Sequence, residues 1–221
     1  MRRARGVVAL ISGGLDSYCL VRGLLASGST VWPLYVRCGF FWERAELSSA
    51  RRWLAELRRA QLKPLHLAEL PARSLYGEHW ALTGRGAPSD RTGDAAVYLP
   101  GRNVVLLSQA AIYAARGHAG RVALGTLAGN PFGDATPQFF RQFGGCLTQA
   151  LDVPIRIDAP LRRRTKAQII RVHADGALAL TWSCIRPTAG RQCGRCNKCA
   201  ERRRAFRAAK IPDPTPYARI R

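Results

Sequence analysis

The chain has 221 residues, 47% of them hydrophobic, and a formal net charge of +21. This length suits one large domain with a small appendage, and the lack of an apolar run of 18 residues excludes a membrane-spanning helix. Nearly all of the positive charge is arginine spread along the chain, so it fits a nucleic-acid partner and a plain arginine-rich composition equally well.

The first predicted elements are a strand and a helix joined by a loop of glycine and serine residues. Residues 7–11 (VVALI) are all apolar, as expected of a strand buried on both faces, and apolar residues recur at helical spacing from Tyr18 to Leu25. Gly13 and Gly14 lie between them and let another group approach the backbone closely. The loop amides and the helix N-terminus would face one point, which predicts an anion-binding site; an ordinary strand-to-helix connection is the alternative.

Strands and helices continue to alternate through the first half of the chain. A second strand is predicted at 30–36, although Pro33 is unfavourable within a strand. An amphipathic helix at 45–60 and a weak strand at 65–67 follow. Residues 71–98 are rich in glycine, proline, aspartate and arginine, which predicts a long surface loop of the kind that often serves as a lid.

The second half of the chain continues the same alternation. The predicted elements are a buried helix with hardly a polar face at 103–115, a strand at 121–125, a helix at 137–150, a short strand at 155–157, and a helix at 165–173 with Thr165 as its N-cap. This order predicts an α/β fold with a doubly wound parallel sheet. Ligands bind such sheets beyond the carboxyl ends of the strands, where Ser12 and the turns after Val36 and Gly125 should converge.

Four of the seven cysteines fall within sixteen residues. The other three, Cys19, Cys38 and Cys146, are scattered along the chain and are predicted to be small, buried hydrophobic side chains. The four are Cys184, Cys193, Cys196 and Cys199, separated by gaps of eight, two and two residues. Their spacing can bring four thiolates around one tetrahedral ion, which predicts one structural zinc per chain, with an iron–sulfur cluster as the alternative. We expect a cytoplasmic protein, because a cleavable N-terminal signal would remove the strand before the glycine loop.

The loop itself has a specific sequence. Residues 12–17 (SGGLDS) match the SGGxDS motif of the PP-loop ATP pyrophosphatases, which cleave ATP between its α and β phosphates. The resemblance implies an adenine-nucleotide alpha-hydrolase-like fold, in which the serine hydroxyls bind phosphate and Asp16 helps to hold Mg²⁺. The sequence lacks the G-x-x-x-x-G-K-[ST] pattern, which argues against an ordinary P-loop NTPase.

Further stretches along nearly the whole chain resemble the 7-cyano-7-deazaguanine synthase (QueC) family. They are YLPGRN at 98–103, APLRRRTKAQII at 159–170, TWSC at 181–184, CGRCNKC at 193–199 and IPDPTPYA at 211–218. The resemblance implies a ligase of queuosine biosynthesis that adenylates 7-carboxy-7-deazaguanine and releases AMP and pyrophosphate. Ammonia then gives the amide and, after a second adenylation, the nitrile. It further implies a homodimer that has small-molecule partners and binds no nucleic acid or membrane.

The resemblance also implies a domain division and a set of site residues. An ATP-binding α/β domain would span 1–178, and a helical zinc-binding segment 179–221. The implied catalytic residues are Ser12, Asp16, Ser17 and Lys166. The implied nucleotide contacts are Ile11, Ser12, Gly13, Gly14, Leu15, Asp16, Ser17, Tyr18, Arg102, Asn103 and Lys166. The expected acceptor contacts are Phe41, Trp42 and Asp134, where Asp134 either accepts hydrogen bonds from a guanine-like edge or orders its own loop.

Two segments depart from the family pattern, and both should border the acceptor. Residues 36–47 read VRCGFFWERAEL in place of roughly DYGQRHRVEL, and residues 127–139 read LAGNPFGDATPQF in place of roughly NAVDYSGYPDCRPEF. Three alternatives therefore stay open. They are a paralogue that uses another carboxylic acid or stops at the amide, a tRNA-modifying PP-loop enzyme, and a nucleotide-binding accessory subunit.

Overall fold

The fold is built on one parallel sheet of five strands, seen in a computed structural model that describes residues 6–174 and 177–218. The strands are β1 (Gly6–Leu10), β2 (Thr30–Arg37), β3 (His66–Glu69), β4 (Arg121–Leu124) and β5 (Arg156–Asp158). Their order is β3-β2-β1-β4-β5, and every neighbouring pair is parallel. The predicted α/β doubly wound sheet is confirmed.

Helices cover both faces of the sheet, so the central strand β1 is buried on each side. The helices are α1 (Leu15–Ala26), α2 (Glu43–Glu56), α3 (Arg73–Tyr76), α4 (Trp80–Thr83), α5 (Arg102–Tyr113), α6 (Pro137–Leu151), α7 (Lys166–Val172) and α8 (Asn197–Ala209). Val7 and Ala9 face the core formed with α1, α2, α7 and α8, while Val8 and Leu10 face the core formed with α5 and α6. The unbroken apolar run of β1 follows from this two-sided burial.

Pro33 lies inside β2, although proline removes a hydrogen-bond donor from a ladder. Val31 exchanges main-chain bonds with Gln61 and Lys63 on the β3 side of the strand. Because bonding direction alternates along a strand, the nitrogen of Pro33 faces the same side, before the β3 ladder begins at Leu34. The missing donor therefore costs no ladder bond, and the predicted strand forms.

The prediction that the helix near residue 105 is buried all round was wrong. Leu107, Ala110 and Ala111 are its only buried residues, while Val104 and Ile112 are 37% and 46% exposed. Helix α5 packs one side against the sheet and leaves its other side on the surface, where the apolar residues remain.

The segment at 71–98 is only partly the long surface loop that its composition predicts. It contains α3, α4 and a short 3₁₀ turn at Asp94–Val97. Ala72, Ala81 and Val97 anchor it to the core on the α5 side of the sheet. Along the described parts of the chain, none of the helices combines the length and hydropathy needed to cross a membrane.

The C-terminal segment shares a hydrophobic core with the sheet. Ala205, Phe206 and Ala209 of α8 pack into the core formed with α1 and α7. Arg202, which is 1% exposed, donates hydrogen bonds to Leu178 O at 2.9 Å and to Thr181 Oγ1 at 2.7 Å. The division of the chain at residue 178 stays a prediction.

Candidate active site and metal centre

A cavity of about 440 Å³ opens at the carboxyl ends of the strands. The last residues of β1, β2 and β4 form its floor, where parallel α/β sheets bind ligands. Most of the predicted site residues line it: Ile11, Ser12, Gly14, Leu15, Asp16, Ser17, Trp42, Arg102, Asn103, Asp134 and Lys166. The fold thus brings these residues together from five separate parts of the chain at one edge of the sheet.

The SGGLDS loop is held in shape by its two serines. Ser17 Oγ accepts a hydrogen bond from the main-chain N–H of Ser12 at 2.9 Å and lies 3.1 Å from Ser12 Oγ. Ser12 Oγ also accepts from the N–H of Gly14 at 3.1 Å. Both hydroxyls are therefore placed beside the N-terminus of α1, where an anion is favoured.

Gly13 supports the loop from behind and does not line the cavity. A Cβ atom at this position would lie 2.1 Å from the carbonyl oxygen of Glu46, so only glycine lets α2 approach this closely. The carbonyl oxygen of Gly13 accepts from Trp182 N at 2.8 Å and from Ser49 Oγ at 3.0 Å. The loop is thereby fixed between α2 and the C-terminal segment.

Two predicted contact residues, Tyr18 and Phe41, have side chains outside the cavity. Tyr18 is 1% exposed and packs edge-on against Trp53, because its position on α1 turns it towards α2. Phe41 is 47% exposed and lies over Gly84, whereas its neighbours Phe40 and Trp42 line the cavity. In this run of three aromatic residues, the middle one faces away from the site.

Asp16 of the SGGLDS loop forms an ion pair with Lys166. Lys166 Nζ lies 3.3 Å from Asp16 Oδ2 and also forms an ion pair with Glu201. Lys166 opens α7, where Thr165 is the N-cap and forms a capping box with Gln168, as the sequence predicts for the cap. The short helix α7, which follows the edge strand β5, thus places a lysine beside the loop.

Two further charged residues, Lys198 and Glu201, extend this ion pair, and the sequence analysis did not predict either of them. Lys198 Nζ lies 2.6 Å from Glu201 Oε2, so Asp16, Lys166, Glu201 and Lys198 form one alternating chain of charges. Lys198 and Glu201 both line the cavity. They belong to α8, beside two cysteines of the CGRCNKC stretch, and their sequence context carries no signal of a role at a site some 180 residues away.

The electrostatic interactions within this group of four charged residues favour a charged Lys166 and an ionised Glu201. Burial disfavours the charged form of Lys166, but Asp16 and Glu201 outweigh it and raise its pKa above the ordinary value. Burial also opposes ionisation of Glu201, yet Lys166 and Lys198 lower its pKa to about 2. For Asp16 burial dominates and raises the pKa, with Lys166 opposing the rise.

One oxygen of Asp16 is available to a cation. Asp16 Oδ1 is buried and has no hydrogen-bond partner among the described residues. An unpartnered carboxylate oxygen beside the SGGLDS loop fits the preference of Mg²⁺ for oxygen ligands. The residues present therefore fit a magnesium ion at this position.

Asp134 and Asn103 are brought together by hydrogen bonds. Asp134 Oδ2 accepts from the main-chain N–H of Asn103 at 2.9 Å, and the carbonyl oxygen of Asp134 accepts from Asn103 Nδ2 at 3.1 Å. Asp134 thus caps the N-terminus of α5 from outside the helix, next to Arg102. Its carboxylate keeps further acceptor capacity, because two oxygens offer about four lone-pair directions.

The other end of the cavity has an aromatic wall. Phe40 stacks on Trp42 with ring centroids 5.1 Å apart, and Trp42 stacks on Trp80 at 5.8 Å. The Arg102 guanidinium carbon lies 5.3 Å from the Phe40 ring centroid, and Arg102 Nε has no hydrogen-bond partner in the described structure. A flat heterocycle with an acidic substituent matches this combination of rings and a cation.

Glu46 is a cavity-lining carboxylate that sequence reasoning also missed. It accepts a hydrogen bond from Tyr35 Oη at 2.8 Å. Burial raises the pKa of Glu46 above its ordinary value, and Arg102 opposes the rise. The sequence signal was present but weak: Glu46 lies one turn after three aromatic residues, on the face of α2 that meets Gly13.

The four clustered cysteines converge as predicted and could hold a metal such as zinc. All four are buried, and their Sγ atoms lie within 4.8 Å of one another. The Cys193–Cys199 and Cys184–Cys196 Sγ distances are 4.0 and 3.9 Å. Tetrahedral zinc with Zn–S bonds of about 2.3 Å requires about 3.8 Å between sulfurs.

The main chain supports thiolate ligands in this cluster. Cys184 Sγ accepts from the N–H groups of Arg186 and Cys193 at 3.3 and 3.2 Å. Cys193 Sγ accepts from the N–H groups of Arg195 and Cys196 at 3.4 and 3.3 Å. Such bonds stabilise negative charge on sulfur, which metal ligation requires.

The remaining cysteines lie away from this cluster. Cys19 and Cys38 are buried as predicted, but Cys146 is exposed on α6, so it is not the core residue expected of it. Burial raises the pKa of the Cys38 thiol to about 11, so this thiol stays protonated at neutral pH.

The four-cysteine cluster lies next to the cavity. Trp182, Ser183 and Ile185 flank Cys184 and line the cavity. Trp182 Nε1 donates to the carbonyl oxygen of Cys184 at 2.8 Å, while Trp182 N donates to Gly13 O. The residues around one cysteine therefore contact the SGGLDS loop directly.

Sequence comparisons assign nearly the whole chain to one protein family. Residues 6–210 match the family described as queuosine biosynthesis protein QueC. The chain is 36% identical to the 7-cyano-7-deazaguanine synthase of Anaeromyxobacter sp. (strain Fw109-5), over 98% of this chain and 97% of that protein. It is 34% identical to the 7-cyano-7-deazaguanine synthase of Methanothrix thermoacetophila, over 95% of this chain and 97% of that protein.

A solved structure shares the fold. It is the crystal structure of a 4-thiouridine synthetase–RNA complex with bound ATP, with a TM-score of 0.53 and 17% sequence identity. The likeness covers 96% of this chain but 47% of that one, so the chain spans about half the length of the synthetase. This likeness concerns the fold alone.

Proposed function

Because this chain belongs to the queuosine biosynthesis protein QueC family, we propose that it is an ATP-dependent ligase that converts 7-carboxy-7-deazaguanine to 7-cyano-7-deazaguanine. The observation that carries the proposal is the position of the SGGLDS loop. It lies at the carboxyl edge of the sheet, with Asp16 and Lys166 paired beside it and an aromatic wall in the same cavity. A phosphate site and a site for a flat acceptor are thus within one cavity.

Adenylation gives the acceptor carboxylate a leaving group. A carboxylate oxygen attacks the α-phosphorus of ATP, and pyrophosphate leaves. Ammonia attacks the carbonyl carbon of the acyl-adenylate, loses a proton and displaces AMP, which leaves the amide. The amide oxygen then attacks the α-phosphorus of a second ATP and displaces pyrophosphate; loss of the two N–H protons with departure of AMP forms the nitrile.

The loop would bind the β and γ phosphates through its main-chain amides and the hydroxyls of Ser12 and Ser17. Ile11 and Leu15 flank these contacts. Lys166 would offset the negative charge that develops on pyrophosphate, which is where electrostatic stabilisation lowers the barrier most. Asp16 would hold Mg²⁺, which supplies further charge neutralisation at the phosphates.

The acceptor would lie against Phe40, Trp42 and Trp80, with Arg102 near its carboxylate. Its cyclic N–H and amino edge requires an acceptor pair, which the Glu46 or Asp134 carboxylate can supply. These assignments are supported by the shared cavity lining and by the unpartnered Nε atom of Arg102.

The four-cysteine cluster would hold one structural zinc per chain, since all four ligand positions are filled by protein. Its proximity to the loop supports a role in fixing the cavity. The cytoplasmic location and the homodimer remain part of this proposal.

The experiment is a panel of pyrophosphate and AMP release assays. The zinc-loaded protein is given ATP, Mg²⁺ and ammonia with 7-carboxy-7-deazaguanine, its amide, simple purine carboxylic acids or bulk tRNA. We expect release with the first two acceptors, and loss of release in Ser12→Ala and Asp16→Ala with the fold intact. Release only with another acid would identify a paralogue, while ADP and orthophosphate as products would overturn PP-loop chemistry.

A further inference from the structure

The phosphate end of the cavity contains more charged groups than the SGGLDS loop supplies. Lys198 and Glu201 reach it from α8, and Glu201 contacts two lysines at once, Lys166 through Oε1 and Lys198 through Oε2. The side chains of Lys166, Glu201 and Lys198 are 20%, 21% and 30% exposed, so each remains open to a ligand in the cavity.

The charges of this group balance before any phosphate arrives. With both carboxylates ionised, Asp16 and Glu201 contribute two negative charges, which match the two positive charges of Lys166 and Lys198. A phosphate that enters must therefore compete for lysines whose hydrogen-bond donors already have a carboxylate partner. Charge-assisted bonds of this kind are among the stronger polar contacts in proteins, so the competition has a measurable effect.

We propose that Lys198 is a second phosphate-binding lysine of this site, and that Glu201 is an internal counter-anion that competes with pyrophosphate for Lys166 and Lys198. This inference rests on the proposed function. In the empty site Glu201 holds both ammonium groups at the cavity. When phosphate binds, Lys166 and Lys198 exchange Glu201 for the phosphate oxygens. When pyrophosphate leaves, both lysines form their ion pairs with Glu201 again.

The two partners of one ion pair should therefore respond in opposite directions. Glu201→Gln keeps the side-chain shape but removes the competing charge, so pyrophosphate should bind more tightly. Lys198→Gln removes a phosphate ligand, so pyrophosphate should bind more weakly. A purely structural ion pair would instead weaken binding in both variants, because both would loosen the same contact.

The experiment measures binding of inorganic pyrophosphate with Mg²⁺ to zinc-loaded protein by isothermal titration calorimetry at fixed ionic strength. We expect the dissociation constant to fall about fivefold in Glu201→Gln and to rise about fivefold in Lys198→Gln. Glu201→Asp retains the charge but shortens the reach, and should tighten binding by a smaller factor. This variant also tests the idea if Glu201→Gln folds poorly.

Matched controls separate these effects from net charge. Arg207→Gln removes a positive charge from an exposed position further along α8, and Glu56→Gln removes a negative charge from the exposed end of α2. Both should leave pyrophosphate affinity unchanged.

Weaker binding in Glu201→Gln and Glu201→Asp would overturn the role of Glu201 as counter-anion. Unchanged binding in Lys198→Gln would overturn the role of Lys198 as a second phosphate-binding lysine. In both cases the proposed function would stand. A wild-type protein that binds no pyrophosphate would overturn both.

Discussion

Gly13 and Glu46 approach so closely that a Cβ atom on Gly13 would lie 2.1 Å from the carbonyl oxygen of Glu46. The second residue of the SGGLDS loop is therefore required by packing against α2, in addition to any contact with phosphate. We predict that Gly13→Ala lowers the free energy of unfolding by about 2 kcal/mol or more, because backbone must move to relieve the overlap. Urea denaturation would measure the loss.

Gly14→Ala is the matched control for this substitution. A Cβ atom on Gly14 would lie 3.0 Å from Ser12 Oγ, a hydroxyl that can rotate away. This variant should keep most of the stability and still disturb the position of Ser12. Equal stability in the two variants would contradict the packing role of Gly13.

Glu46 makes the stability of the protein depend on pH. Its folded-state pKa lies above its ordinary value of 4.5, because burial disfavours the charged form. Between those two values the folded state binds more protons than the unfolded state, so the contribution of Glu46 to stability falls as pH rises through this window. Glu46→Gln should therefore be more stable than wild type at pH 8, and the difference should shrink at pH 4.

Urea unfolding of wild type and Glu46→Gln at several pH values measures this difference. Glutamine can still accept the hydrogen bond from Tyr35, so the variant isolates the charge. A difference in unfolding free energy that stays constant from pH 4 to pH 8 would show that Glu46 has no raised pKa.

Asp134 has two candidate roles, capping α5 and binding the acceptor substrate, and two substitutions can distinguish them. Asp134→Ala removes the acceptor for the N–H of Asn103 and should lower the free energy of unfolding by about 1 kcal/mol. Asp134→Asn keeps an oxygen for that bond and should stay near wild type in stability. If the carboxylate also binds the acceptor, Asp134→Asn will lose about 1–3 kcal/mol in acceptor use with ATP affinity unchanged. Wild-type stability in Asp134→Ala would refute the capping role.

The sequence predicts most of the sheet and the local parts of the site. The residues of β1 are apolar because both faces are covered, and that pattern is visible in five consecutive letters. Ser12, Asp16 and Ser17 are positioned within one short loop, and the cysteines within one short segment. In each case the information needed for the geometry lies within a few residues.

The parts that sequence reasoning missed depend on tertiary contacts. Glu201 contacts Lys166 only because α8 packs beside α7, and neither Glu201 nor Lys198 has a sequence feature that separates it from the other charged residues of the chain. The side chains of Tyr18 and Phe41 lie outside the cavity because adjacent residues on a helix or turn face different directions. Burial of α5 was overestimated because apolar composition does not report which side of a helix meets the sheet.

A metal held by the four-cysteine cluster should affect folding beyond residues 184–199. Cys196→Ser should lower zinc content below about one ion per chain and reduce folding yield, because Cys196 is one of the four candidate ligands and directly precedes α8. Cys146→Ser, at an exposed cysteine, is the control and should retain the metal. Metal analysis of the purified variants measures both. Stoichiometric iron in the wild type would contradict a zinc centre.

The most direct test of the proposed adenylation follows the acceptor's own oxygen atoms. The wild-type protein is given ATP, ammonia and 7-carboxy-7-deazaguanine that carries ¹⁸O in both carboxylate positions, and the products are analysed by mass spectrometry. We predict that both labels leave in AMP, one in each of two molecules, and that the nitrile carries none. An amide that retains one label would mean that the reaction stops after the first adenylation. Unlabelled AMP, or label in orthophosphate formed together with ADP, would contradict attack of the carboxylate on the α-phosphate.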